Sequence, residues 1–432
     1  MKVGIVLFGS RGDIQPYAAL AHGLTAAGHE VVIAANADAA PIVDAVGVRF
    51  VPVAELDIRK WLSSPVGQEA LMAGTAQALL DSANAWIVSA LPSLVAATKE
   101  VADGADVVIS GFPMDDYVAA VCAAQGVPMI IGYLTPWLPT KEFPPAYMRV
   151  GRPDPELLSG EDNLRTYQEF EEIFWRGRRE AVAELRASLG LAPVDRPLLQ
   201  TAPDLGYTVL HAYSPVVVPT PQDWGQGNVF TGYWRLPAAA RERLGEAVPP
   251  AELVEWLDAG TPPIYLGFGS MPIMDPAPVL RMAAAAAERA GVRILIGAGW
   301  TDMTEAAAGL PDHVAVVNEV DHDWLFPRCA AVVHHGGAGT VAAGLTAGRP
   351  SFVFSMFFDQ PYWGAQIARL HAGGGRMLTE MDLDTLTEAM VLLGDGHVRG
   401  HAAEIGDRLR QEDGVAAAIK VITDPARAVI PR

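Results

Sequence analysis

The sequence predicts an α/β protein built from two Rossmann-like domains in tandem. Short apolar runs typical of buried parallel strands alternate with helical periodicity, first over residues 1–53 and again from residue 264. The chain is 432 residues long, which suits two domains because single cores rarely grow beyond about 250–300 residues. Strand–helix–strand alternation of this kind produces a parallel, doubly wound sheet. We therefore expect one such sheet in each half of the chain.

In the N-terminal half, five apolar segments fit buried strands. These predicted strands are Val3–Phe8, Val31–Ala34, Arg49–Val53, Asp106–Ser110 and Pro128–Gly132. Residues 56–101 are mostly helical in period, and residues 163–189 fit one long helix.

The alternation restarts in the C-terminal half. The predicted strands there are Ile264–Phe268, Arg293–Ile296, Val314–Val317, Ala330–His334 and Pro350–Phe354. The predicted helices are Ala277–Ala290, Gly337–Ala347, Gln360–Leu370, Asp384–Leu393, His397–Gln411 and Val415–Ile422.

A change in composition predicts the boundary between the domains. Prolines and glycines concentrate over residues 215–235, as in an interdomain linker. We expect an N-terminal domain over 1–214, a C-terminal domain over 236–412, and a C-terminal helix and tail over 413–432.

Charge and cysteine content exclude several classes of function. The 50 acidic residues outnumber the 31 lysines and arginines, for a net charge of −19, which argues against a surface for nucleic acid or anionic membranes. Cys122 and Cys329 are the two cysteines, too few for a disulfide framework or a four-cysteine zinc site. The apolar run near the N-terminus is too short for a signal peptide or a membrane span. We expect a soluble, cytoplasmic protein without an integral membrane segment.

The first candidate motif follows the first predicted strand. In open α/β sheets, ligands bind beyond the carboxyl ends of the strands, and Gly9–Pro16 lies at such an end. The carboxylate of Asp13 fits a general base for a substrate hydroxyl, or alternatively a helix N-cap. The dinucleotide fingerprint G-x-G-x-x-G is absent, which weakens a nicotinamide-dependent oxidoreductase as an interpretation.

The second motif, Val333–Thr340, lies between a predicted strand and a helix. Its glycines leave backbone N–H groups open at a helix N-terminus, where the dipole favours anions. His335 and Thr340 add side-chain donors. This pattern indicates a diphosphate cradle that needs neither lysine nor metal, although a plain glycine-rich turn with a threonine cap has the same outline.

Two further strand ends carry polar residues. Asp359 and Gln360 supply the donors and acceptors that read sugar hydroxyls, or Asp359 caps the following helix. The hydroxyl of Ser270 fits a phosphate contact or a turn. The Asp-x-Asp sequences at 321–323 and 382–384 are weak metal signals, and no metal is expected.

Together these residues resemble the GT-B glycosyltransferases of family 1, above all sterol glucosyltransferases and the transferases that modify antibiotic aglycones. The matching stretches are Gly9–Pro16, His211–Trp234, Ile264–Met271 and Glu319–Gly373. The resemblance implies two Rossmann-like domains facing each other across a cleft, with the C-terminal helix packing back on the N-terminal domain.

The resemblance also implies roles for individual residues. Asp13 takes the place of the catalytic base, on a loop formed by Gly9, Ser10, Arg11 and Gly12. The donor diphosphate would be held by Ser270, His335, Gly337, Gly339 and Thr340. Asp359 and Gln360 would bind the sugar, and Val320 would lie along the nucleobase. The resemblance gives no match over residues 55–200, where acceptors dock in such enzymes. From aromatic content alone, the candidates for an acceptor pocket are Trp61, Trp86, Phe112 and Trp137, residues that also suit an ordinary core.

The implied activity is inverting, metal-independent transfer of a hexose, with UDP-glucose as the leading donor, to a hydroxyl of a bulky apolar acceptor such as a sterol, polyketide or flavonoid. The chain departs from the family at Asp321, where a proline is usual, and at Phe358, where a glycine usually precedes the Asp–Gln pair. The ring of Phe358 leaves a dTDP-activated deoxysugar open as donor. A nucleotide-sugar 2-epimerase and a catalytically silent nucleotide-sugar-binding protein are the alternative functions.

Overall fold

The computed structural model describes residues 1–72, 76–146, 159–245, 249–269, 275–299, 301–318, 320–356 and 358–432. These residues form two units. The N-terminal unit comprises Met1–Pro215, Pro219–Pro237 and Asp413–Arg432, and the C-terminal unit comprises Val216–Val218 and Ala238–Glu412. The stretch expected to be a linker, 215–235, thus supplies most of its residues to the N-terminal unit.

The N-terminal unit contains a seven-stranded parallel sheet. Its strands are β1 (Lys2–Val6), β2 (Glu30–Asn36), β3 (Arg49–Val53), β4 (Val107–Gly111), β5 (Met129–Tyr133), β6 (Val209–His211) and β7 (Asn228–Phe230). They lie in the order β3-β2-β1-β4-β5-β6-β7. The helices that precede β7 are α1 (Arg11–Ala26), α2 (Ala40–Val46), α3 (Ile58–Ser63), α4 (Pro65–Met72), α5 (Ala76–Ser89), α6 (Leu91–Ala102), α7 (Asp115–Gln125), α8 (Gly160–Arg176), α9 (Arg179–Ser188) and α10 (Leu198–Thr201).

The C-terminal unit contains a six-stranded parallel sheet in the order β10-β9-β8-β11-β12-β13. Its strands are β8 (Ile264–Gly267), β9 (Ile294–Gly297), β10 (Val314–Val317), β11 (Ala331–His334), β12 (Ser351–Ser355) and β13 (Gly373–Met377). Its helices are α11 (Ala238–Arg243), α12 (Ala251–Asp258), α13 (Pro276–Ala290), α14 (His322–Leu325), α15 (Ala338–Thr346), α16 (Gln360–Arg369), α17 (Leu383–Gly394) and α18 (Gly396–Leu409). The two parallel sheets with their helices confirm the predicted fold class.

Burial on both sheet faces explains why the strands read as continuous apolar runs. In β8, Ile264 and Leu266 join a core with α13 and α17, whereas Tyr265 points into a second core with α12 on the opposite face. A strand enclosed in this way has no polar face, so period-2 alternation disappears from its sequence.

The single helix expected over 163–189 is wrong, because the structure has α8 and α9 separated at Gly177 and Arg178. A Cβ on Gly177 would lie 2.7 Å from Nδ2 of Asn84, so the chain approaches α5 too closely for a side chain. Arg178 turns inward, is 1% exposed, and donates to the Pro113 carbonyl (2.8 Å) and to Oδ1 of Asn84 (3.1 Å). These buried contacts interrupt the periodicity that the sequence suggests.

The last helix, α19 (Gly414–Ile422), belongs to the N-terminal unit and packs on α1, as the resemblance implies. A Cβ on Gly23 of α1 would come within 2.3 Å of Cγ1 of Val415, so the two helices are in close contact. Farther along, Val429 forms an antiparallel bridge with Met129 at the start of β5. The final segment therefore completes the first Rossmann-like unit.

Among the described residues, no individual helix combines the length and apolarity needed to cross a membrane. The consecutive segments Gln77–Ser89 and Leu91–Ala102 meet both criteria only when taken together, and they are bent by 66° where they join.

Candidate active site

The loop after β1 is held by a strand-end asparagine. The backbone N–H of Gly9 donates to Oδ1 of Asn36 (3.1 Å), and Nδ2 of Asn36 donates back to the Gly9 carbonyl (3.0 Å). Gly9 has φ +151°, and a Cβ there would lie 2.3 Å from Oδ2 of Asp13. Glycine is therefore required where this loop passes the carboxylate.

Asp13 is exposed and is the third residue of α1, whereas Ser10 is the N-cap. Oδ2 of Asp13 accepts from the backbone N–H of Ser10 (2.8 Å) and from its hydroxyl (3.0 Å). The N-cap alternative for Asp13 is therefore wrong: Ser10 is the cap, and Asp13 is the acidic residue that reaches back to it. These contacts fix a solvent-facing carboxylate at the carboxyl edge of the sheet.

The two remaining loop residues have peripheral positions. Nε of Arg11 donates to Oε1 of Gln15 on the next turn (3.0 Å). Gly12 is exposed, and the nearest heavy atom to a Cβ built on it is the Ser10 hydroxyl oxygen at 3.7 Å. The chain is therefore unobstructed at Gly12, the residue that precedes Asp13.

A buried polar cluster lies behind this loop. Asp115 begins α7 after β4, is fully buried, and accepts a hydrogen bond from the Tyr133 hydroxyl (2.7 Å). Burial, followed by the neighbouring Asp116 carboxylate, raises the pKa of Asp115 to about 7, against the opposing effects of Tyr133 and Arg178. Burial also raises the pKa of Tyr17, and the charges of Asp13 and Asp115 raise it further. Sequence reasoning missed this cluster, although two acids shortly after a buried strand were a usable signal.

The four candidate acceptor residues form two separate aromatic groups in the N-terminal unit. Trp61 stacks on Trp86 with ring centroids 5.4 Å apart, and Trp86 meets Phe8 edge to face at 5.3 Å. Phe112 and Trp137 stack on each other (3.6 Å), in a group that continues through Phe170 and Phe174. Trp137 is only 6% exposed, so it is mainly a core residue.

The Trp61–Trp86 pair lines an open pocket of about 430 Å³ at the end of β3. Glu55, Asp57 and Lys60 form part of its polar lining. The indole Nε1 of Trp61 is buried and has no hydrogen-bond partner among the described residues. Trp86 also contacts Phe8, the residue before Gly9, so one lining residue of this pocket touches the segment that leads into the Asp13 loop.

In the C-terminal unit, the ring of His335 fills the space between two glycines. A Cβ on Gly269, just after β8, would lie 2.6 Å from Cε1 of His335, and a Cβ on Gly337 would lie 2.6 Å from its Nε2. Gly337 is the N-cap of α15, Gly339 is exposed with nothing within 4 Å of a built Cβ, and Thr340 is half-buried in the first turn. The imidazole thus lies beside an accessible helix N-terminus.

Both histidines of this loop are neutral at physiological pH. Burial lowers the pKa of His335 to about 4, against a hydrogen bond with the Gly267 backbone that raises it. Burial, with the charges of His335 and His322, holds the pKa of His334 well below its usual range. The backbone N–H of Gly336 donates to Nδ1 of His334 (3.1 Å), which fixes that ring and the turn. The loop therefore offers dipoles and donors without net charge.

The Asp–Gln pair lies against this histidine loop. A Cβ on Gly336 would come within 2.9 Å of the Gln360 carbonyl oxygen. Oε1 of Gln360 accepts from the Met356 N–H (2.8 Å), and Oδ2 of Asp359 accepts from the Trp363 indole (2.7 Å). Gln360 is 6% exposed, so its side chain supports the loop after β12 more than the sequence suggests.

Phe358 shows why a glycine suits the position before this pair. Its φ is +53°, in the left-handed region that costs a non-glycine residue roughly 1–2 kcal/mol. The turn places this residue in the left-handed conformation, and the residue at this position is a half-buried phenylalanine.

The remaining predicted residues contribute differently. Ser270 lies outside the described residues. Val320 packs, partly buried, against the second core of the C-terminal sheet. Asp321 caps α14 by accepting from the Asp323 N–H (2.9 Å), and both carboxylates pair with Arg241. Within the described parts of the chain, no group of three or more His, Cys, Asp or Glu side chains could hold a metal ion.

Comparison with known proteins agrees with this architecture. Residues 3–108 match the glycosyltransferase family 28 N-terminal domain, and residues 285–417 match the erythromycin biosynthesis protein CIII-like C-terminal domain. An uncharacterized glycosyltransferase of Mycobacterium tuberculosis is 33% identical, with 99% of each chain covered. A sterol 3-beta-glucosyltransferase of Arabidopsis thaliana is 34% identical over 97% of this chain and 65% of its own length. A sterol 3-beta-glucosyltransferase of Emericella nidulans is 31% identical over 98% of this chain, which spans less than a third of that enzyme's length.

Solved structures share the fold over nearly the whole chain. The glycotransferase of kitacinnamycin superposes with a TM-score of 0.71 at 21% identity, and 98% of each chain is covered. The glycosyltransferase VinC, solved in complex with dTDP, gives a TM-score of 0.67 at 19% identity, with 99% of this chain and 100% of that chain covered. With full-length relatives at one-third identity and this fold, the chain belongs to the GT-B glycosyltransferases of family 1.

Proposed function

We propose that this protein is an inverting glycosyltransferase that moves a hexose, with UDP-glucose as leading donor, to a hydroxyl of a bulky apolar acceptor. The observation that carries the proposal is the exposed carboxylate of Asp13, held by Ser10 at the carboxyl edge of the N-terminal sheet. In this proposal the N-terminal unit supplies the base and the acceptor pocket, and the C-terminal unit supplies the donor cradle.

Asp13 acts on the acceptor. The acceptor oxygen attacks the anomeric carbon opposite the leaving diphosphate, the new glycosidic bond forms as the old bond breaks, and the configuration inverts. Asp13 takes the hydroxyl proton during this step. Its anchoring by Ser10 limits the orientations of the carboxylate, so little ordering remains to be done when the acceptor binds.

The leaving nucleoside diphosphate gains negative charge, and the α15 N-terminus is suited to stabilise it. The open backbone at Gly337 and Gly339, the Thr340 hydroxyl and the neutral His335 imidazole provide dipoles and donors. This stabilisation requires no metal ion, so we propose metal-independent transfer.

Donor selection falls to the loop after β12 and to the start of α14. Asp359 and Gln360 are proposed to contact the sugar, and Val320 the nucleobase. We choose glucose as the donor sugar because the relatives cited above are named sterol 3-beta-glucosyltransferases. The dTDP complex of VinC and the ring of Phe358 support a dTDP-deoxysugar as the second donor to test.

The acceptor proposal rests on the pocket lined by Trp61 and Trp86. Stacked indoles offer a large flat apolar surface, and Nε1 of Trp61, which has no partner in the described part of the chain, offers one hydrogen-bond donor. A rigid apolar skeleton with a single polar substituent fits these features. Sterols fit this description, whereas flavonoids and polyketide aglycones share the large ring framework but carry several polar groups.

The test measures nucleoside diphosphate release and product mass with UDP-glucose and dTDP-glucose, each offered to a panel of these acceptors in the presence of EDTA. Asp13→Asn is compared with wild type, and Asp44→Asn, at an exposed position on α2, is the matched control. We expect acceptor-dependent release with a hexose mass gain that falls at least a hundredfold in Asp13→Asn alone.

Equal turnover by Asp13→Asn and wild type would refute the assignment of the base. Donor binding without product from any acceptor would favour a silent nucleotide-sugar-binding protein. Conversion of the donor sugar without acceptor would favour a 2-epimerase.

A further inference from the structure

The C-terminal unit has a second pocket, of about 400 Å³, whose charged lining residues are both arginines. Arg349 lies in the turn between α15 and β12, and Arg399 projects from α18. The other lining residues are small or apolar, among them Gly348, Gly400 and Ala403. Among the described residues, no acidic side chain lines it, although the whole chain carries a net charge of −19.

This pocket is remote from the proposed donor loops. Its residues Ala330 and Pro350 immediately precede β11 and β12, so the pocket lies at the amino edge of the sheet. The histidine loop and the Asp–Gln pair follow the carboxyl ends of the same two strands. Four- and five-residue strands separate the two edges by roughly 13–17 Å at about 3.3 Å per residue.

The arginines of the pocket are incompletely paired. Nη2 of Arg349 donates to the Pro327 carbonyl (2.6 Å), but its Nε is buried without a hydrogen-bond partner in the described chain. The Arg399 guanidinium has no hydrogen bond or ion pair to any described residue. The exposed Arg399 side chain is therefore available to an anion, and the positive charge of Arg349 lies beside it on the pocket lining.

A third guanidinium lies nearby and pairs with Asp407. Nη1 of Arg410 lies 3.7 Å from a Cβ built on Gly348, directly behind the pocket. Burial lowers the pKa of Arg349, and the positive charges of Arg399 and Arg410 lower it further, against Cys329, which raises it. Of the acids near the pocket, Asp407 pairs with Arg410, and Asp395 accepts from the His397 and Val398 amides.

The shape of the pocket suits a ligand larger than a single ion. Gly396 and Gly400 have nothing within 4 Å of a built Cβ, so the α18 face of the pocket is open. Guanidinium groups match the oxygens of a phosphate in a bidentate fashion, and a carboxylate less completely. We propose that Arg349 and Arg399 form a second anion site, which binds the phosphate group of a phosphorylated small molecule independently of the donor site.

The test uses pyrophosphate as the probe in thermal unfolding, with UDP at saturation to occupy the proposed donor cradle and sodium chloride at the same ionic strength as reference. Wild type is compared with Arg399→Ala and with Arg408→Ala, which removes the same charge from an exposed position on the same helix. We expect pyrophosphate to raise the Tm of wild type and of Arg408→Ala. Its apparent Kd should be weaker by tenfold or more in Arg399→Ala.

A second variant tests the pocket without removing an arginine. Ala403→Glu places a carboxylate on the pocket lining, one turn from Arg399 on α18. We expect this variant to have a higher Tm than wild type without pyrophosphate and to lose the response to pyrophosphate. Retention of the full response would contradict the proposal.

A vesicle arm identifies the source of the phosphate. Flotation measures the binding of wild type and the same variants to two kinds of vesicle. The first kind contains phosphatidylcholine alone, and the second contains phosphatidylcholine and phosphatidylglycerol in equal amounts. Arg399-dependent binding to the second kind alone would support the site and assign its phosphate to a lipid headgroup. A pyrophosphate response that is absent, or equal in wild type and Arg399→Ala, together with no Arg399-dependent flotation, would overturn the proposal.

Discussion

Replacing Phe358 by glycine and by alanine separates the backbone of its turn from its ring. Both substitutions remove the ring, but only alanine keeps a Cβ at φ +53°. The left-handed conformation costs a non-glycine residue roughly 1–2 kcal/mol, and glycine returns about 0.4–1 kcal/mol through the entropy of the unfolded chain. We therefore expect Phe358→Gly to be more stable than Phe358→Ala by about 1 kcal/mol.

The assay is thermal unfolding of the protein, monitored with a probe that reports the unfolding transition of the C-terminal unit. For a unit of about 180 residues, 1 kcal/mol corresponds to roughly 2–4 °C in Tm. His371 also has φ +53°, so the pair His371→Gly and His371→Ala is a positive control with the same expected sign. A Phe358→Ala variant that is as stable as Phe358→Gly would refute the account of this turn as strained.

Three other predictions concern the loops and buried groups. Gly336→Ala should cost about 2 kcal/mol or more and weaken UDP-glucose binding, because its φ is +98° and its Cβ would meet Val353 at 2.7 Å. The control is Gly394→Ala on α17, where a Cβ would meet nothing within 4 Å, and it should stay near wild type in unfolding and binding assays. A Gly336→Ala variant that matches this control would contradict the prediction. Since the pKa of Asp115 is raised to about 7, the folded chain retains a proton that the unfolded chain releases near pH 3.9, so the free energy of unfolding falls as pH rises from about 3.9 to 7. Asp115→Asn removes this loss and should therefore stabilise the protein more at pH 8 than at pH 5. Equal stabilisation at the two pH values in urea titrations would count against this prediction. Because the pKa of His335 is lowered to about 4, its imidazole stays neutral from pH 8 to 5.5, and the affinity for UDP-glucose should be constant over that range. Calorimetric titration measures this affinity, and a change centred near pH 6.5 would contradict a neutral imidazole.

The order and type of most elements follow from sequence because strands enclosed on both faces are continuous apolar runs. Strand β13 escapes this rule: its first three residues are glycines, and a Cβ on Gly375 would lie 3.0 Å from Cα of Gly364 on α16. Close contact with a helix removes the side chains that would have marked the strand. Strands β6 and β7 have three residues each, too few to establish a period.

At the candidate site, residue types predict which loops matter better than they predict where each side chain points. The glycines of the histidine loop indicate an open helix N-terminus, and Gly339 has that openness. Backbone dihedrals, which a sequence pattern does not contain, decide two details of the site. Oε1 of Gln360 accepts from Met356, and Ser10 rather than Asp13 is the cap of α1. The partnership of Asn36 with Gly9 joins residues 27 apart and has no local signal.

The return of α19 to the N-terminal unit has a consequence for biosynthesis. Gly414 packs so closely on the Gly232 and Tyr233 carbonyls that a Cβ would come within 2.6 Å of both oxygens. The ribosome must therefore translate all of Ala238–Glu412 before the segment that finishes the first unit emerges. The C-terminal unit can complete its fold first, while the half synthesised earlier waits with part of α1 uncovered. Nascent chains halted before residue 413 should thus expose α1 to chaperones, although every strand that the structure describes has already been made.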